Sequence, residues 1–287
     1  MQHCRSGPSE TAAGSAALLD WFSRTRKVTV AFSGGVDSSL VLAAAARALG
    51  PGQVHAVTAV SDSLPGGMLG AARGLAAVLG VRHTEMRTHE IDNPGYTANG
   101  PDRCYFCKAT LIDTVAAAGY LGDSDLLVTG TNADDRLAGW RPGIRAAAER
   151  GAGTPLADAG MGKDAVRALS RLWQLPTADL PASPCLSSRI AYGIQITPAR
   201  LARVDAAELA VRTALARSGV ISRELRVRDL GEHVRVEVDA GAVEAVRQLP
   251  AVTQAVAAAG FGTARVAVGA FASGALNSAL APELRFR

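Results

Sequence analysis

A phosphate cradle is indicated by the segment Ser33-Gly34-Gly35-Val36-Asp37-Ser38. It follows an apolar run at 28–32 and leads into a helical pattern at 38–49, so it falls at a strand-to-helix turn. The glycines allow a sharp turn and a close approach of backbone N–H groups to an anion, toward which the helix also directs its positive end. Ser33 and Ser38 add hydroxyl donors, and Asp37 can help to hold Mg2+ beside a polyphosphate. The alternative is a glycine turn that binds nothing.

Three cysteines form a second candidate site. Cys104 and Cys107 make a C-x-x-C, and Cys185 lies far downstream in Ser183-Pro184-Cys185-Leu186-Ser187-Ser188-Arg189. A C-x-x-C alone is compatible with redox chemistry, half of a metal site or two buried thiols. A closed zinc site would need a fourth ligand, whereas three thiolates on a 4Fe-4S cluster leave one iron open to hydrosulfide. Cys185, beside proline, hydroxyls and Arg189, is predicted to be a working thiolate.

Strand and helix patterns alternate along the first 130 residues. Strands are predicted at 28–32, 54–60, 81–86 and 126–130, with helices at 38–49, 68–79 and 104–118. This alternation predicts an α/β fold, a parallel sheet with helices on both faces. Ligands bind such folds at the carboxyl ends of the strands. The cradle, Ser61 with Ser63, and the segment Gly130-Thr131-Asn132-Ala133-Asp134-Asp135 all fall on that edge.

The residues at this edge have candidate roles in binding a nucleotide. Ser61 and Ser63 are placed to face adenine or ribose, and Asp134 or Asp135 is placed to bind Mg2+. Each carboxylate is equally compatible with a helix cap or a solvated loop.

A smaller α+β module is predicted downstream of a proline-rich loop at 175–196. Thr197-Pro198 is a helix start, and helices at 198–218 and 242–258 accompany strands at 225–228, 234–238 and 264–268. The expected domains are a disordered tail at 1–15, a nucleotide domain at 16–180, a cysteine-bearing loop at 181–197, the α+β domain at 198–275 and a tail at 276–287. Cys4 falls in the first tail and is expected to be incidental.

Composition excludes several classes of protein. The 287 residues are 48% hydrophobic and 20% charged, which describes a globular chain rather than a disordered one. No apolar run is long enough to span a membrane and the first residues do not resemble a signal peptide, so a cytoplasmic protein is expected. The net charge of +4 is spread along the chain, which gives no reason to expect a nucleic-acid partner.

The phosphate segment resembles the SGGxDS loop of the PP-loop ATP pyrophosphatases, and it lacks both the Walker A lysine and a G-x-G-x-x-G. Together with the segments 101–108, 130–135, 141–143, 184–193 and 196–198, it is similar to the LarE family of ATP-dependent sulfur transferases, over nearly the whole chain. The resemblance implies that ATP adenylates a carboxylate of pyridinium-3,5-biscarboxylic acid mononucleotide and that sulfur then replaces the activated oxygen. This step belongs to the synthesis of the nickel-pincer nucleotide cofactor.

The same resemblance assigns roles to residues. Cys185 takes the position of the sulfur-bearing cysteine, and Arg226 and Arg228 match paired arginines near the substrate's phosphate and carboxylates, with an exposed strand face as the alternative. Some members sacrifice the cysteine sulfur, while others hold a 4Fe-4S cluster on three cysteines, the arrangement favoured here. A homo-oligomer is implied. The residues expected to bind ATP are Ser33, Gly34, Gly35, Asp37, Ser38, Ser61, Gly130, Asn132, Asp134 and Arg189.

Other functions are also compatible with parts of the sequence. Members of the family usually carry Trp and Lys around the Asp of the loop before the cysteine, whereas this chain has Thr177-Ala178-Asp179-Leu180, which is compatible with a different acceptor. A tRNA thiolase shares the phosphate loop and three cysteines, but no RNA-binding appendage is recognisable. A non-catalytic regulator would not need both Asp37 and Cys185, and an amidating ATP pyrophosphatase would leave the cysteines without a role.

Overall fold

A four-stranded parallel sheet forms the centre of the first part of the chain. The computed structural model describes residues 8–121, 125–137, 139, 141–272 and 274. The strands β1 (Lys27–Ala31), β2 (Val54–Val60), β3 (Arg82–Arg87) and β4 (Asp125–Val128) lie in the order β3-β2-β1-β4. All pairings are parallel, and Val30 lies between Ala56 and Val128. The predicted α/β class is confirmed.

Helices cover both faces of this sheet. On one face α1, α2, α3 and α9 pack around Val28 and Val30, and on the other α5 and α7 pack around Val57 and Leu127. None of the described helices is both long and apolar enough to cross a membrane. The helices are α1 (Pro8–Ser23), α2 (Val36–Leu49), α3 (Met68–Val78), α4 (Pro94–Thr97), α5 (Arg103–Ala117), α6 (Ala133–Leu137), α7 (Pro142–Glu149), α8 (Pro155–Asp158), α9 (Lys163–Leu172), α10 (Pro198–Arg217), α11 (Val243–Arg247) and α12 (Pro250–Val256).

The helix that follows the predicted cradle is buried on every side. Residues 40–45 of α2, with the sequence LVLAAA, are fully inaccessible to solvent. A helix that is apolar around its whole circumference belongs inside a protein, and its alanines let neighbouring elements approach closely. The start of α2 is therefore held rigidly against the end of β1.

The expected tail at 1–15 is wrong from Pro8 onward. Pro8 begins α1, and this helix buries Leu18 and Phe22 completely against α2 and α9. Pro is well suited to the first helical turn, where its missing N–H is not needed. Residues 1–7, with Cys4, and the predicted tail at 276–287 lie outside the described residues.

Segment 133–172, for which the sequence pattern predicts no element, contains the helices α6 to α9. The first three have between four and eight residues, too few turns for a clear helical period. In α9, Val166 and Leu169 face the core while charged residues cover the other side. This segment returns the chain to the carboxyl edge of the sheet.

The predicted α+β module is present. Its sheet consists of β5 (Leu225–Asp229), β6 (His233–Val238) and β7 (Arg265–Ala270), with β5 antiparallel and β7 parallel to β6. The α10 helix begins at the predicted place, because the Thr197 hydroxyl accepts from the Arg200 N–H at 3.2 Å.

The single helix predicted at 242–258 is wrong. Pro250 cannot donate an N–H to a continuing helix, so α11 ends at Arg247 and α12 begins at Pro250. A π-helical turn, Ala257–Phe261, follows and leads into β7.

Candidate active site

The hydroxyls of Ser33 and Ser38 close the loop between β1 and α2. Their Oγ atoms lie 3.1 Å apart, and the Ser38 hydroxyl also donates to the Gly35 carbonyl at 3.2 Å. Gly34 has a φ of +76°, in the region that favours glycine. The loop and the first turn of α2 border a cavity of about 830 Å³, called here the nucleotide cavity. The free N–H groups at the start of α2 are therefore available to an anion in it.

Gly130 lets the end of β4 touch the start of α2. A Cβ atom at this position would lie only 2.8 Å from the Ser38 backbone nitrogen. The close approach carries the following loop to the cradle, where the Asn132 side-chain amide donates to Asp37 Oδ1 at 3.4 Å. The structure thus brings the predicted residues Gly130 and Asn132 against the cradle, and their contact with a nucleotide stays a prediction.

We expect Gly130→Ala to weaken ATP binding and to lower the free energy of unfolding by about 1–3 kcal/mol, because the new methyl group must push β4 away from α2. Urea unfolding and calorimetric titration with ATP measure both effects. Gly52→Ala is the matched control, since a Cβ there meets nothing within 4 Å and should change neither quantity. Wild-type stability and ATP affinity in Gly130→Ala would contradict the close packing.

Lys163 is a candidate that the sequence analysis missed. It is the first residue of α9, and its ammonium group forms an ion pair with Asp37 across the nucleotide cavity. Its backbone N–H donates to Asp134 Oδ2 at 2.7 Å. The predicted Asp134 therefore lines the cavity and fixes the start of α9. The only signal in the sequence was the rarity of lysine, and nothing in it placed Lys163 near the cradle.

A second cavity, of about 230 Å³, adjoins the cradle and contains two of the predicted thiols. Ser33, Ser61, Cys107 and Cys185 are among the residues that line it. The Ser61 and Ser63 hydroxyls lie 3.0 Å apart at the end of β2. Ser61, at the edge of the sheet, and Cys185, the predicted working thiol, thus line the same cavity, called here the thiol cavity.

The loop that carries Cys185 is anchored to the nucleotide domain immediately after the cysteine. The Leu186 N–H donates to the Ser63 carbonyl at 2.8 Å, and the Ser187 hydroxyl lies 2.5 Å from the Tyr96 hydroxyl. Burial raises the pKa of Tyr96, so its phenol stays protonated at neutral pH. These contacts fix the position of Cys185 relative to the end of β2.

Arg189 has a different place from the one predicted for a nucleotide ligand. Its side chain is 1% exposed and pairs with both carboxylate oxygens of Glu208, at 2.9 and 3.2 Å. It also donates to the carbonyls of Pro184 and Cys185. A buried guanidinium needs a carboxylate partner, which Glu208 provides. Arg189 therefore stabilises the cysteine loop through its contacts with the loop carbonyls.

Cys104 and Cys107 lie one turn apart on α5 and therefore on one side of it. Burial raises the pKa of Cys107 well above its usual range, and the charges of Cys185 and Glu90 act in the same direction. Desolvation also raises the pKa of Cys104, and the charge of Cys185 is the second cause. Cys107 and Cys185 line the thiol cavity, and Cys104 lines an adjoining cavity with Pro184, so the three thiols lie near one another.

Those thiols do not form a ready site for a single ion. Within the described residues, no three Cys, His, Asp or Glu side chains are grouped so as to hold one metal ion. Three neighbouring thiols are nevertheless a suitable donor set for a positively charged iron-sulfur core, which would stabilise their thiolates. The donor chemistry fits the predicted cluster.

Arg226 and Arg228 lie two residues apart on β5 and so share one face of the strand. Their exposed fractions are 5% and 7%, so the alternative of an exposed strand face is wrong. Arg226 pairs with Glu224 at 3.1 Å, and Arg228 donates to Glu237 at 2.9 Å. Both arginines line a third cavity of about 420 Å³, called here the basic cavity, whose other basic residues are Arg103, Lys108 and Arg141.

Comparison with known proteins identifies the family. The model of the asparagine synthase family matches residues 22–122, which include the cradle and the C-x-x-C. The pyridinium-3,5-bisthiocarboxylic acid mononucleotide synthase of Lactiplantibacillus plantarum, a LarE protein, is 35% identical over 202 residues, covering 69% of this chain and 70% of its own. The chain belongs to the LarE family. An uncharacterized protein of Synechocystis sp. is 42% identical over 221 residues, 77% of this chain and 80% of its own.

Membership makes this LarE-family chain an ATP-using sulfurtransferase at the level of the family. A more distant relative, an uncharacterized protein of Methanocaldococcus jannaschii, is 24% identical over 216 residues, 75% of this chain and 79% of its own. The structure brings the predicted cradle, Cys185 and the predicted arginine pair to three adjoining cavities. Asp179, in the segment that departs from the usual family pattern, pairs with Arg171 on the surface.

Proposed function

We propose that this LarE-family protein adenylates a carboxylate of pyridinium-3,5-biscarboxylic acid mononucleotide and replaces the activated oxygen with sulfur. One observation carries the proposal: the cysteine loop forms a wall shared by all three cavities. Ser183 and Pro184 border the nucleotide cavity, Cys185 borders the thiol cavity, and Pro184 and Ser188 border the basic cavity. ATP, a sulfur carrier and an acidic acceptor can therefore meet at one loop.

The nucleotide cavity supports the ATP half of the reaction. Free N–H groups at the start of α2 suit the phosphates, and Lys163 supplies a cation beside them. The carboxylates of Asp37 and Asp134 at the same cavity are the oxygen ligands that Mg2+ prefers. These groups are of the kind needed to bind MgATP and to stabilise departing pyrophosphate.

The basic cavity supports an acceptor that carries several negative charges. Arginine forks bind carboxylates and phosphates with two parallel hydrogen bonds, and a mononucleotide with two carboxylates has both groups. Asp135 is the acidic residue among those that line this cavity. The relative from Lactiplantibacillus plantarum is named for making pyridinium-3,5-bisthiocarboxylic acid mononucleotide, the sulfur-containing counterpart of this acceptor.

The proposed transfer balances without an oxidant or reductant. The acceptor carboxylate attacks the α-phosphate of ATP, a C–O–P linkage forms, and pyrophosphate leaves. Hydrosulfide then attacks the acyl carbon, the C–S bond forms, and AMP departs with the oxygen as the sulfur proton is released. If Cys185 is itself the donor, its thiolate attacks the acyl carbon, AMP departs and a thioester forms. Loss of the Cα proton and cleavage of the Cβ–S bond then release the thiocarboxylate and leave dehydroalanine in the chain.

We further propose that Cys104, Cys107 and Cys185 hold a 4Fe-4S cluster. When bound, such a cluster supplies an iron without a protein ligand, at which hydrosulfide can bind. The thiols' common neighbourhood and the effect of the Cys185 charge on both members of the C-x-x-C support this assignment. Cys107 also donates to the buried Glu90 carboxylate at 3.8 Å, a contact that fixes the direction of its thiol.

The test is anaerobic incubation with MgATP, the biscarboxylate mononucleotide and sulfide, followed by mass spectrometry of both product and protein. We expect pyrophosphate, thiocarboxylate and a chain of unchanged mass. Thiocarboxylate together with a chain lighter by one hydrogen sulfide would show that Cys185 is sacrificed and would overturn the external sulfur source. If no thiocarboxylate forms with this acceptor but tRNA is thiolated, the proposed acceptor is wrong and the protein is a tRNA thiolase.

The iron content of the isolated protein tests the cluster separately from activity. Iron and visible absorbance should be present in anaerobically prepared wild-type protein and lost from Cys104→Ala/Cys107→Ala. Equal iron in both proteins would contradict the three-cysteine ligation.

A further inference from the structure

Asn99 has an unusual backbone in the centre of the molecule. Its φ is +53° and its side chain is completely buried. In the described part of the chain, Gln174 is the other non-glycine residue with a positive φ. A non-glycine residue is held in this region only where its surroundings determine it, and such residues are concentrated at functional sites.

The amide group of Asn99 binds the loop that follows Cys185. Nδ2 donates to the carbonyls of Ala191 and Ile194 at 2.8 Å and lies 3.3 Å from that of Ile190. The Asn99 backbone carbonyl accepts from the Gly193 N–H at 3.2 Å. Asn99, which precedes the C-x-x-C helix in the chain, thus satisfies four backbone groups of the cysteine loop.

The other side of the same amide binds the start of the C-x-x-C helix. Asn99 Oδ1 accepts from Arg103 Nη1 at 2.6 Å, and Arg103 directly precedes Cys104 on α5. The Arg103 guanidinium also stacks on the Tyr192 ring, 4.6 Å from its centroid, which adds a second link to the cysteine loop. The two elements that carry the thiols are therefore joined through one side chain.

We infer that Asn99 is a positioning residue that sets the C-x-x-C thiols relative to Cys185. The inference rests on the proposed function for its catalytic consequence, but the positioning itself can be measured without turnover. Asn99 is not among the residues that line the three cavities, so it acts through the thiols rather than on ATP or the acceptor. Its loss should impair sulfur transfer and spare the release of pyrophosphate.

Asn99→Gly is the principal variant, because glycine keeps the positive φ while all side-chain bonds are lost. The first measurement uses metal-free protein and a short bifunctional thiol reagent, with mass spectrometry of the cross-link between Cys107 and Cys185. We expect its yield to fall several-fold. The second compares turnover: kcat for sulfur transfer should fall about 100-fold, as small misplacements of reacting groups do, while pyrophosphate release and the KM for ATP stay within about twofold.

Gln174→Gly is the matched control, since it places glycine at the other positive φ, away from the thiols, and should change neither measurement. Asn99→Asp keeps the acceptor for Arg103 but presents a carboxylate to three carbonyls, so it should also lower the cross-link yield. Unchanged cross-linking in both Asn99 variants would overturn the inference. So would an equal loss of pyrophosphate release and sulfur transfer, or failure of both variants to fold, because each assigns Asn99 to general stability.

The proposed function and this inference fail in different ways. If wild-type protein makes no thiocarboxylate but its cross-link depends on Asn99, the function is wrong and the positioning role stands. If thiocarboxylate forms at the same rate in Asn99→Gly, the function stands and the positioning role is wrong.

Discussion

Replacing Cys185 with alanine will leave ATP cleavage in place and abolish sulfur transfer. The loop is held by the backbone bond from Leu186 to Ser63 and by the buried Arg189–Glu208 pair, none of which uses the sulfur. Alanine keeps these contacts and removes one of the two thiols that line the thiol cavity. Because the remaining thiol, Cys107, is itself a proposed cluster ligand and cannot also take the place of Cys185, we expect transfer to fall at least about 1,000-fold.

The measurement is a single-turnover reaction in which AMP or pyrophosphate and thiocarboxylate are quantified from the same sample. Cys4→Ala is the control, because it removes the remaining cysteine of the chain, to which no role is assigned. Formation of AMP without thiocarboxylate in Cys185→Ala is the expected pattern. Thiocarboxylate formation by this variant would remove Cys185 from the chemistry altogether.

The sheet could be predicted from the sequence because its signals are local. The apolar strand at 54–60 has the predicted bounds, and the Thr197-Pro198 helix start lies where its capping residues indicate. Pro250 is also a local signal, and the helix predicted through it is wrong because proline lacks the N–H that a continuing helix requires. Such information lies within a few residues of the element that it determines.

The composition of the site could be predicted only where a motif named it. Asp37 and Lys163 are 126 residues apart, and no pattern in either segment indicates their pairing. Arg189 looks like a ligand because it is a charged residue beside a reactive cysteine, and only the fold reveals that Glu208 neutralises it. Burial and pairing are properties of the tertiary structure, so charged residues near a motif are the part of a site that sequence leaves most open.

The basic cavity illustrates how a fold concentrates charge that a sequence disperses. The net charge of +4 gave no reason to expect a basic surface. Arg103, Arg141 and Arg226 nevertheless converge on one cavity from three separate segments. A confined group of this kind suits a small polyanion better than an extended nucleic acid, whose backbone requires a long basic face.

Replacing Asp37 with alanine will abolish the release of pyrophosphate without unfolding the protein. Asp37 lies in the first turn of α2, and its carboxylate is both the partner of Lys163 and an oxygen ligand suited to Mg2+. Its loss leaves the lysine without its partner and the metal without that ligand, for which we expect a loss of about 100- to 1,000-fold. The fold should persist, because α2 is stabilised by its buried apolar residues rather than by this partly exposed ion pair.

Pyrophosphate release at saturating MgATP and acceptor measures the effect, and circular dichroism checks the fold. Asp37→Asn separates charge from shape: it can still accept from Asn132 but cannot balance Lys163, so it should be nearly as inactive as the alanine variant. Ser39→Ala is the matched control in the same helical turn, because the Ser39 hydroxyl is buried without a hydrogen-bond partner in the described structure. Wild-type turnover in Asp37→Ala would remove Asp37 from the ATP site, and an equal loss in Ser39→Ala would assign the effect to the start of α2 as a whole.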